Sequence, residues 1–70
     1  MRDGDIIHGL MRGLSVIECF DEDHARMSIT DVAERTGLER ATARRCLLTL
    51  VHLGYATYDG KFFQLTPRVL

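Results

Sequence analysis

The chain has 70 residues, of which 46% are hydrophobic and 27% are charged, and its formal net charge is −1. This length allows one small hydrophobic core and no cleft between domains, which excludes most classes of enzyme. Two cysteines cannot form a disulfide framework, and the sequence has neither the ~18-residue apolar run of a transmembrane helix nor the pattern of a secretory leader. We therefore expect one soluble, cytoplasmic domain with no membrane partner.

Charge is distributed unevenly along the chain. Residues 1–34 contain three arginines and eight acidic residues, whereas residues 35–70 contain five arginines and one lysine against two acidic residues. The net charge near zero therefore conceals a basic C-terminal half, which is compatible with binding to nucleic acid.

The N-terminal part is predicted to contain one helix after a frayed start. Residues 1–5 are polar and include a glycine, as is typical of flexible termini. Leu10, Leu14 and Ile17 then recur at helical spacing, which predicts a helix over residues 7–20.

A turn and a second, short helix follow. The acidic residues 21–23 predict a solvated turn, and residues 27–29 are too few for more than an extended fragment. Thr30 is a good N-cap for a helix over residues 31–36, whose first turn carries negative charge where the helix dipole favours it. Gly37 supplies the left-handed residue that ends this helix.

The third predicted helix is the longest. Residues 40–53 contain no helix breaker, Leu38 links them to the preceding turn, and Gly54 ends the helix. One side of the helix is apolar, which predicts the face toward the core. This stripe consists of Ala43, Cys46, Leu47, Leu50 and Leu53.

After Gly54 the apolar spacing changes from helical to alternating, which predicts two β-strands. Residues 55–58 and 61–65 flank Asp59-Gly60, a strong signal for a hairpin with a two-residue turn. Such a turn pairs Tyr58 with Lys61 and Ala56 with Phe63. One face of the hairpin then carries Ala56, Phe63 and Leu65, and the other carries Tyr55, Thr57, Phe62 and Gln64.

The order of three helices and a hairpin predicts a winged helix-turn-helix, mainly α with a small two-stranded β-wing. Residues 1–9 are expected to form a partly flexible N-terminal segment, and residues 10–67 the winged helix-turn-helix domain. Pro67 marks a boundary because proline is favoured at a helix start, so residues 68–70 are expected to begin a further helix.

Residues 30–50 carry the signature of two helices joined by a tight turn. Ala33 is small where two backbones approach, and Gly37 tolerates the positive φ of the turn. The apolar residues that lock the two helices together are Val32, Leu38, Ala43 and Cys46. This matched set predicts a helix-turn-helix far more specifically than basic residues alone.

The side of the third helix opposite the apolar stripe is basic. The N-terminal part of a recognition helix reaches base edges in the major groove, where arginine binds guanine and small methyl groups pack against thymine. Arginines on a helix surface are more often simply solvated, but the helix-turn-helix signature favours DNA reading. The predicted base-reading residues are Arg40, Ala41, Thr42, Arg44 and Arg45.

Three further residues are predicted to contact the DNA backbone, namely Thr30, Arg35 and Lys61, the last of them at the hairpin tip; Arg12 is a weaker candidate. The three histidines and two cysteines lack the close spacing of metal ligands, so we predict no metal site and no cofactor. No catalytic set of residues and no phosphate-binding glycine loop is found in the sequence, which argues against an enzyme.

The runs LMRGLSVIECF and SITDVAERTGLERATARRCLLTLVHLGYATYDGKFFQLTPRVL lie between Leu10 and Leu70. They resemble the N-terminal DNA-binding domain of IclR-type bacterial transcriptional regulators. Arg12-Gly13-Leu14 and residues 40–45 and 65–70 are similar to the branch that controls aromatic-acid catabolism through the β-ketoadipate pathway, including protocatechuate and 4-hydroxybenzoate.

The resemblance implies a homodimer that binds palindromic operator DNA. It also implies a linker helix that begins near Arg68 and a separate effector-binding domain that is absent from this chain. A small-molecule effector would act only through that domain. Glu39 and Phe62 depart from the family pattern, because a helix cap and a polar wing residue are common there. The implied dimerisation residues in the first helix are Leu10, Met11, Leu14, Ser15 and Glu18.

A second hypothesis keeps the fold and changes the ligand. The net charge of −1 is unusual for a DNA-binding domain, and it favours a protein-interaction module without direct DNA contact. Such a module would use the face with Tyr55 and Phe62 together with the acidic N-terminal half. The salt dependence of DNA binding distinguishes the two hypotheses.

Overall fold

The computed structural model describes residues 2–69 and contains three helices and three short strands in the order helix, strand, helix, helix, strand, strand. The helices are α1 (His8–Glu18), α2 (Ile29–Thr36) and α3 (Arg40–Leu53); the strands are β1 (Arg26–Met27), β2 (Ala56–Tyr58) and β3 (Phe63–Leu65); short 3-10 turns lie at Asp3–Asp5 and Pro67–Val69. The predicted fold, a mainly α winged helix-turn-helix, is confirmed. Met1 of the predicted N-terminal segment and Leu70 of the predicted linker helix lie outside the described residues.

The wing contains a third strand that the sequence analysis did not predict. β1 pairs antiparallel with β3, with Arg26 opposite Gln64 and Met27 opposite Phe63, so the strand order is β1-β3-β2. A strand of two residues has no alternating pattern of its own. Its hydrogen-bonding partner lies far along the chain, and only the folded structure brings the two together. The prediction of a two-stranded wing is therefore corrected.

The hairpin register also differs from the prediction. Tyr58 pairs with Phe63 instead of Lys61, and Ala56 pairs with Leu65, so residues 59–62 form the loop. The Asp59 carboxylate explains this longer loop, because its Oδ1 accepts the amide hydrogens of Lys61 (3.0 Å) and Phe62 (2.8 Å). Asparagine and aspartate commonly stabilise turns in this way.

The assignment of the paired strand residues to the two hairpin faces nevertheless holds. The register differs by two residues, and side chains alternate between faces with a period of two. Ala56 and Phe63 are buried, Leu65 is half-buried, and Thr57 and Gln64 on the opposite face are exposed. A two-residue register error thus leaves the prediction of the buried face intact.

Helix α2 begins earlier than predicted, because Ser28 and not Thr30 is its N-cap. The Ser28 hydroxyl accepts the Asp31 amide hydrogen (3.1 Å), and the Asp31 carboxylate accepts the Ser28 amide hydrogen (3.0 Å). This reciprocal pair is a capping box. The hydrogen bond from the Ser28 amide holds the pKa of Asp31 below its usual range. Thr30 lies inside the first helical turn and is exposed.

The capping box makes a prediction that separates the two candidate caps. Ser28→Ala should destabilise the domain by about 1 kcal/mol, because it leaves an amide at the start of α2 without its acceptor. Thr30→Ala is the matched control, and we expect its effect to stay within about 0.5 kcal/mol. Urea denaturation followed by circular dichroism measures both. Equal losses of stability from the two variants would contradict this assignment of the cap.

Helix α1 is shorter than the predicted span of residues 7–20. Ile7 has an extended backbone (φ −92°, ψ 104°) and precedes the first helical residue. At the other end, the Cys19 thiol donates to the Val16 carbonyl (3.0 Å), where the chain leaves the helix. Burial raises the pKa of this thiol. The N-terminal residues, predicted to be frayed, form a short turn in which the Ile6 amide bonds to the Asp3 carbonyl (3.0 Å).

Helix α3 has the predicted bounds, Arg40–Leu53. Gly37 (φ 78°) and Gly54 (φ 86°) adopt the left-handed conformation that the prediction required after each helix. Glu39 precedes α3 with extended backbone and makes no capping hydrogen bond through its side chain. Glu39 therefore does not serve as the side-chain cap that is common in the family at this position.

The core lies where the helices meet the inner face of the sheet. Tyr58 stacks on Phe63 at 4.3 Å between ring centroids, at the edge of this core. Leu53, predicted to extend the apolar stripe, is 50% exposed because it ends α3 beyond the core. The buried residues are Val16, Met27, Val32, Ala33, Ala43, Leu47, Leu50, Ala56 and Phe63.

Candidate nucleic-acid interface

Burial of one side of α3 determines which side chains face solvent. Ala43 and Leu47 are fully buried, and Leu50 is 7% exposed. Each residue advances the helix by about 100°, which places Ala41 and Arg45 on the side directly opposite these three. Both are exposed in the structure. The apolar stripe thus sets the orientation of the predicted base-reading residues.

The three arginines in the N-terminal half of α3 have no acidic partner within the described residues. Arg40, Arg44 and Arg45 are exposed. Within residues 2–69 the structure contains three ion pairs, and they involve Asp21 with His24, Asp21 with Arg35, and Arg26 with Asp59. None of the three α3 arginines takes part in them. Their guanidinium groups therefore remain available to an external anion.

The two small residues of the predicted reading set differ in accessibility. Ala41 is exposed, and Thr42 is half-buried beside α1. Thr42 lines a groove of about 280 Å³ between α1 and α3 together with Arg12 and Arg45. The structure thus places Arg12, the weaker sequence candidate, beside the recognition helix.

Arg35 is engaged within the chain. Its Nε donates to the Cys19 carbonyl (2.9 Å), its Nη2 donates to Asp21 (3.1 Å), and its Nη1 lies 3.4 Å from Nε2 of His24. The hydrogen bond from His24, and then the charge of Arg35, lower the pKa of Asp21. Arg35 therefore fastens α2 to the turn after α1, and its contact to the DNA backbone stays a prediction.

The other two predicted backbone contacts are accessible. Thr30 is exposed in the first turn of α2, and Lys61 is exposed in the wing loop. The Lys61 ammonium lies 5.1 Å from the centroid of the Phe62 ring. Phe62, predicted to lie on the outward face of the hairpin, is half-buried.

The structure separates the two aromatic residues that the second hypothesis placed on one face. Tyr55 lies beside Gly54 at the start of the hairpin, where its carbonyl accepts the Thr66 amide hydrogen (2.9 Å). Phe62 lies in the loop at the opposite end of the hairpin. Arg68 covers the Tyr55 ring at 5.6 Å, and Arg26 covers the Phe62 ring at 5.1 Å. Tyr55 and Phe62 thus lie at opposite ends of the hairpin and do not share one surface.

The predicted dimerisation residues leave an apolar surface on α1. Leu10 is 58% exposed, Met11 50% and Leu14 48%. Glu18 is exposed, whereas Ser15 is half-buried and donates its hydroxyl hydrogen to the Arg12 carbonyl (2.7 Å). Leu10 and Leu14 line a groove of about 470 Å³ that extends to Leu53 and Val69.

The described residues offer few other sites. Between residues 2 and 69, no three histidine, cysteine or acidic side chains come close enough together to hold a metal ion. No helix in this part of the chain combines the length and the apolar character needed to cross a membrane. The one candidate residue that the sequence did not indicate is Arg26 in the wing, which β1 brings next to the loop.

Comparison with known proteins extends over nearly the whole chain. The family sequence model of the IclR helix-turn-helix domain matches residues 9–60. The p-hydroxybenzoate hydroxylase transcriptional activator of Acinetobacter baylyi is 50% identical over 70 residues, covering 100% of this chain and 26% of that protein. The Pca operon regulatory protein of the same species is 46% identical over 70 residues, covering 100% of this chain and 25% of that protein.

The fold agrees with a solved structure of the same kind. The IclR family transcriptional regulator of Brucella abortus superposes with a TM-score of 0.92 at 34% identity, covering 97% of this chain and 27% of that chain. The chain thus spans about a quarter of the length of the curated relatives and of this solved chain.

Proposed function

The chain belongs to the IclR helix-turn-helix family, and from this premise we propose that it binds one half of a palindromic operator in double-stranded DNA. Its relatives are transcriptional regulators, so the chain is a DNA-binding regulatory domain and not an enzyme. The observation that carries the proposal is the exposed basic side of α3, whose arginines have no acidic partner within residues 2–69.

The proposed reading mechanism follows from the orientation of α3. Its N-terminal half enters the major groove, where Arg45 and Arg44 are the candidates for bidentate hydrogen bonds to guanine. Ala41 offers a methyl group to thymine, and Thr42 does so from the side that faces α1. Arg40, at the first position of the helix, completes the set.

Contacts to phosphates hold the helix in register on the duplex. Lys61 supplies one from the wing, and Thr30 supplies one from the start of α2. Arg12 lines the groove beside Arg45, so we add it to this set. These contacts are independent of base sequence, and those of the two cations, Lys61 and Arg12, should depend on salt.

A second copy of the chain is the proposed occupant of the apolar α1 surface. The exposed leucines and Met11 there would bury against the same surface of the other copy, as a two-fold symmetric interface requires. Two recognition helices would then lie about 34 Å apart, one helical turn of DNA. Glu18 and Ser15 border this surface and set the polar contacts around it.

The regulated genes and the effector are inferred from the relatives. The names of two relatives refer to a p-hydroxybenzoate hydroxylase and a Pca operon. We therefore infer that this chain belongs to a regulator of aromatic-compound catabolism. In this proposal residues 10–67 are the DNA-binding domain, a linker helix starts near Arg68, and a separate domain binds the effector. A cytoplasmic location follows, because bacterial chromosomal DNA lies in the cytoplasm.

Fluorescence anisotropy with a labelled duplex tests DNA binding directly. A duplex enriched from a random pool on this chain should bind with an affinity that falls steeply as salt rises, because bound cations are released from the phosphates. We expect log Kd to rise linearly with log salt concentration, by about 0.9 for each phosphate that a lysine or arginine neutralises. Failure to enrich or bind any duplex even at low salt would reject the proposal in favour of a protein partner.

A further inference from the structure

The wing tip gathers four side chains, of which only Lys61 belongs to the proposed DNA interface. Arg26, Asp59, Lys61 and Phe62 form this wing cluster. Arg26 is distant in sequence and enters the cluster because β1 pairs with β3, where Arg26 lies opposite Gln64. The cluster is thus a product of the third strand.

Asp59 organises the cluster and uses both carboxylate oxygens within it. Oδ1 accepts the amide hydrogens of Lys61 and Phe62, and Oδ2 accepts a hydrogen from Nη2 of Arg26. The two amide hydrogen bonds, and next the Arg26 guanidinium, hold the pKa of Asp59 below its usual range. Asp59 therefore stays ionised near neutral pH and fixes the loop and Arg26 together.

Two cations lie over the Phe62 ring. The Arg26 guanidinium carbon and the Lys61 ammonium each lie 5.1 Å from its centroid. Aromatic faces attract cations at such distances, and this attraction offsets the repulsion between the two like charges. Two positive charges against one carboxylate leave the wing cluster with a net positive charge. Arg26 is 56% exposed, so this charge faces solvent.

We propose that Arg26 contacts a DNA phosphate beside Lys61, and that Phe62 is the positioning residue that holds both cations for it. The inference rests on the proposed DNA-binding function and deepens it. The ligand chemistry is that of a phosphodiester, whose charges repeat regularly along a strand and suit two cations fixed at one site. The Arg26–Asp59 hydrogen bond orients the guanidinium before DNA arrives.

The charge of Arg26 is tested by two variants and a salt titration on a mixed-sequence duplex. Arg26→Gln removes the charge and keeps a hydrogen-bond donor for Asp59, and we expect the slope of log Kd against log salt to fall by about 0.9. Arg26→Lys is the matched control and should keep the wild-type slope. Thermal denaturation of both variants confirms that they fold.

The positioning role of Phe62 requires a different comparison. Phe62→Leu keeps an apolar side chain and removes the aromatic face, so affinity should fall severalfold with an unchanged melting temperature. Phe62→Tyr keeps the face and should restore wild-type affinity. If the role of Phe62 were purely structural, its variants would lose melting temperature and affinity together. An aromatic ring would then not be required.

The outcomes separate this inference from the proposed function. If the wild-type chain binds DNA and Arg26→Gln keeps the full salt slope, Arg26 does not neutralise a phosphate and the wing inference fails alone. An equal loss of slope in Arg26→Lys and Arg26→Gln would also overturn it, since charge would then not be the cause. If the wild-type chain binds no duplex, the proposed function fails and the wing inference fails with it.

Discussion

Arg45→Ala is expected to weaken binding to the enriched operator duplex by about 1–3 kcal/mol, or about 5- to 150-fold in Kd. Arg45 is exposed directly opposite the buried side of α3 and lies in the N-terminal half of the helix. Loss of its guanidinium would remove a bidentate contact to guanine in the major groove. Fluorescence anisotropy on operator and on random duplex measures the effect, and only the operator affinity should fall strongly.

His52→Ala is the matched control for Arg45. His52 is exposed on the same outward side of α3, about two turns closer to the C-terminus. It lies beyond the N-terminal part that reaches base edges, so its replacement should leave the ratio of operator to random affinity unchanged. If Arg45→Ala reduced binding to both duplexes equally, Arg45 would be a phosphate contact and the base-reading role would be wrong.

Phe63→Ala is expected to unfold most of the chain. Phe63 is fully buried at the centre of the sheet, and the loss of such a side chain costs about 3–5 kcal/mol. A core in a domain of this size rarely supplies more than about 3–5 kcal/mol in total. Far-ultraviolet circular dichroism at low temperature should therefore show a large loss of helix, and DNA binding should be lost with it.

The stacked partner of Phe63 provides the control. Tyr58 is 46% exposed and contacts the Phe63 ring from the edge of the core. Tyr58→Ala should cost about 0.5–1.5 kcal/mol from the lost ring contact, which leaves the chain folded. If Phe63→Ala had the same stability in urea as the wild type, Phe63 would not be buried in the core as the structure shows.

The contrast between the two predictions reflects what each side chain does. Arg45 contributes little to the fold, because it is exposed and has no ion pair within the described residues. Phe63 lies outside the proposed DNA interface and is fully buried in the core. The first variant should therefore lose binding without unfolding, whereas the second should lose both together.

Local chemistry made several elements predictable. The bounds of α3 followed from the absence of helix breakers over Arg40–Leu53 and from Gly54, which must adopt a left-handed conformation. The inward face of the hairpin followed from alternation, which survives a register error of two residues. The start of α2 did not follow, because Ser28 and Thr30 are both good caps, and the reciprocal bond to Asp31 decides between them.

The candidate site was predicted in part. The outward side of α3 depends only on helical periodicity and on which residues are apolar, so the sequence placed Arg44 and Arg45 without a structure. The sequence offered Arg35 as a contact to the DNA backbone and gave no sign that its guanidinium reaches Asp21 and the Cys19 carbonyl across a turn. Single-sequence patterns contain no information about such a contact.

The sequence by itself determined the helix-turn-helix, the side of α3 that faces solvent and the family to which the chain belongs. These properties depend on residues that are neighbours within one or two helical turns or that form a local motif. Tertiary structure alone decided that Arg26 joins Lys61 and Phe62 at the wing tip and that Arg35 is bound within the chain. Strand pairing and side-chain contacts between distant segments arise from packing the whole core, which no local pattern specifies.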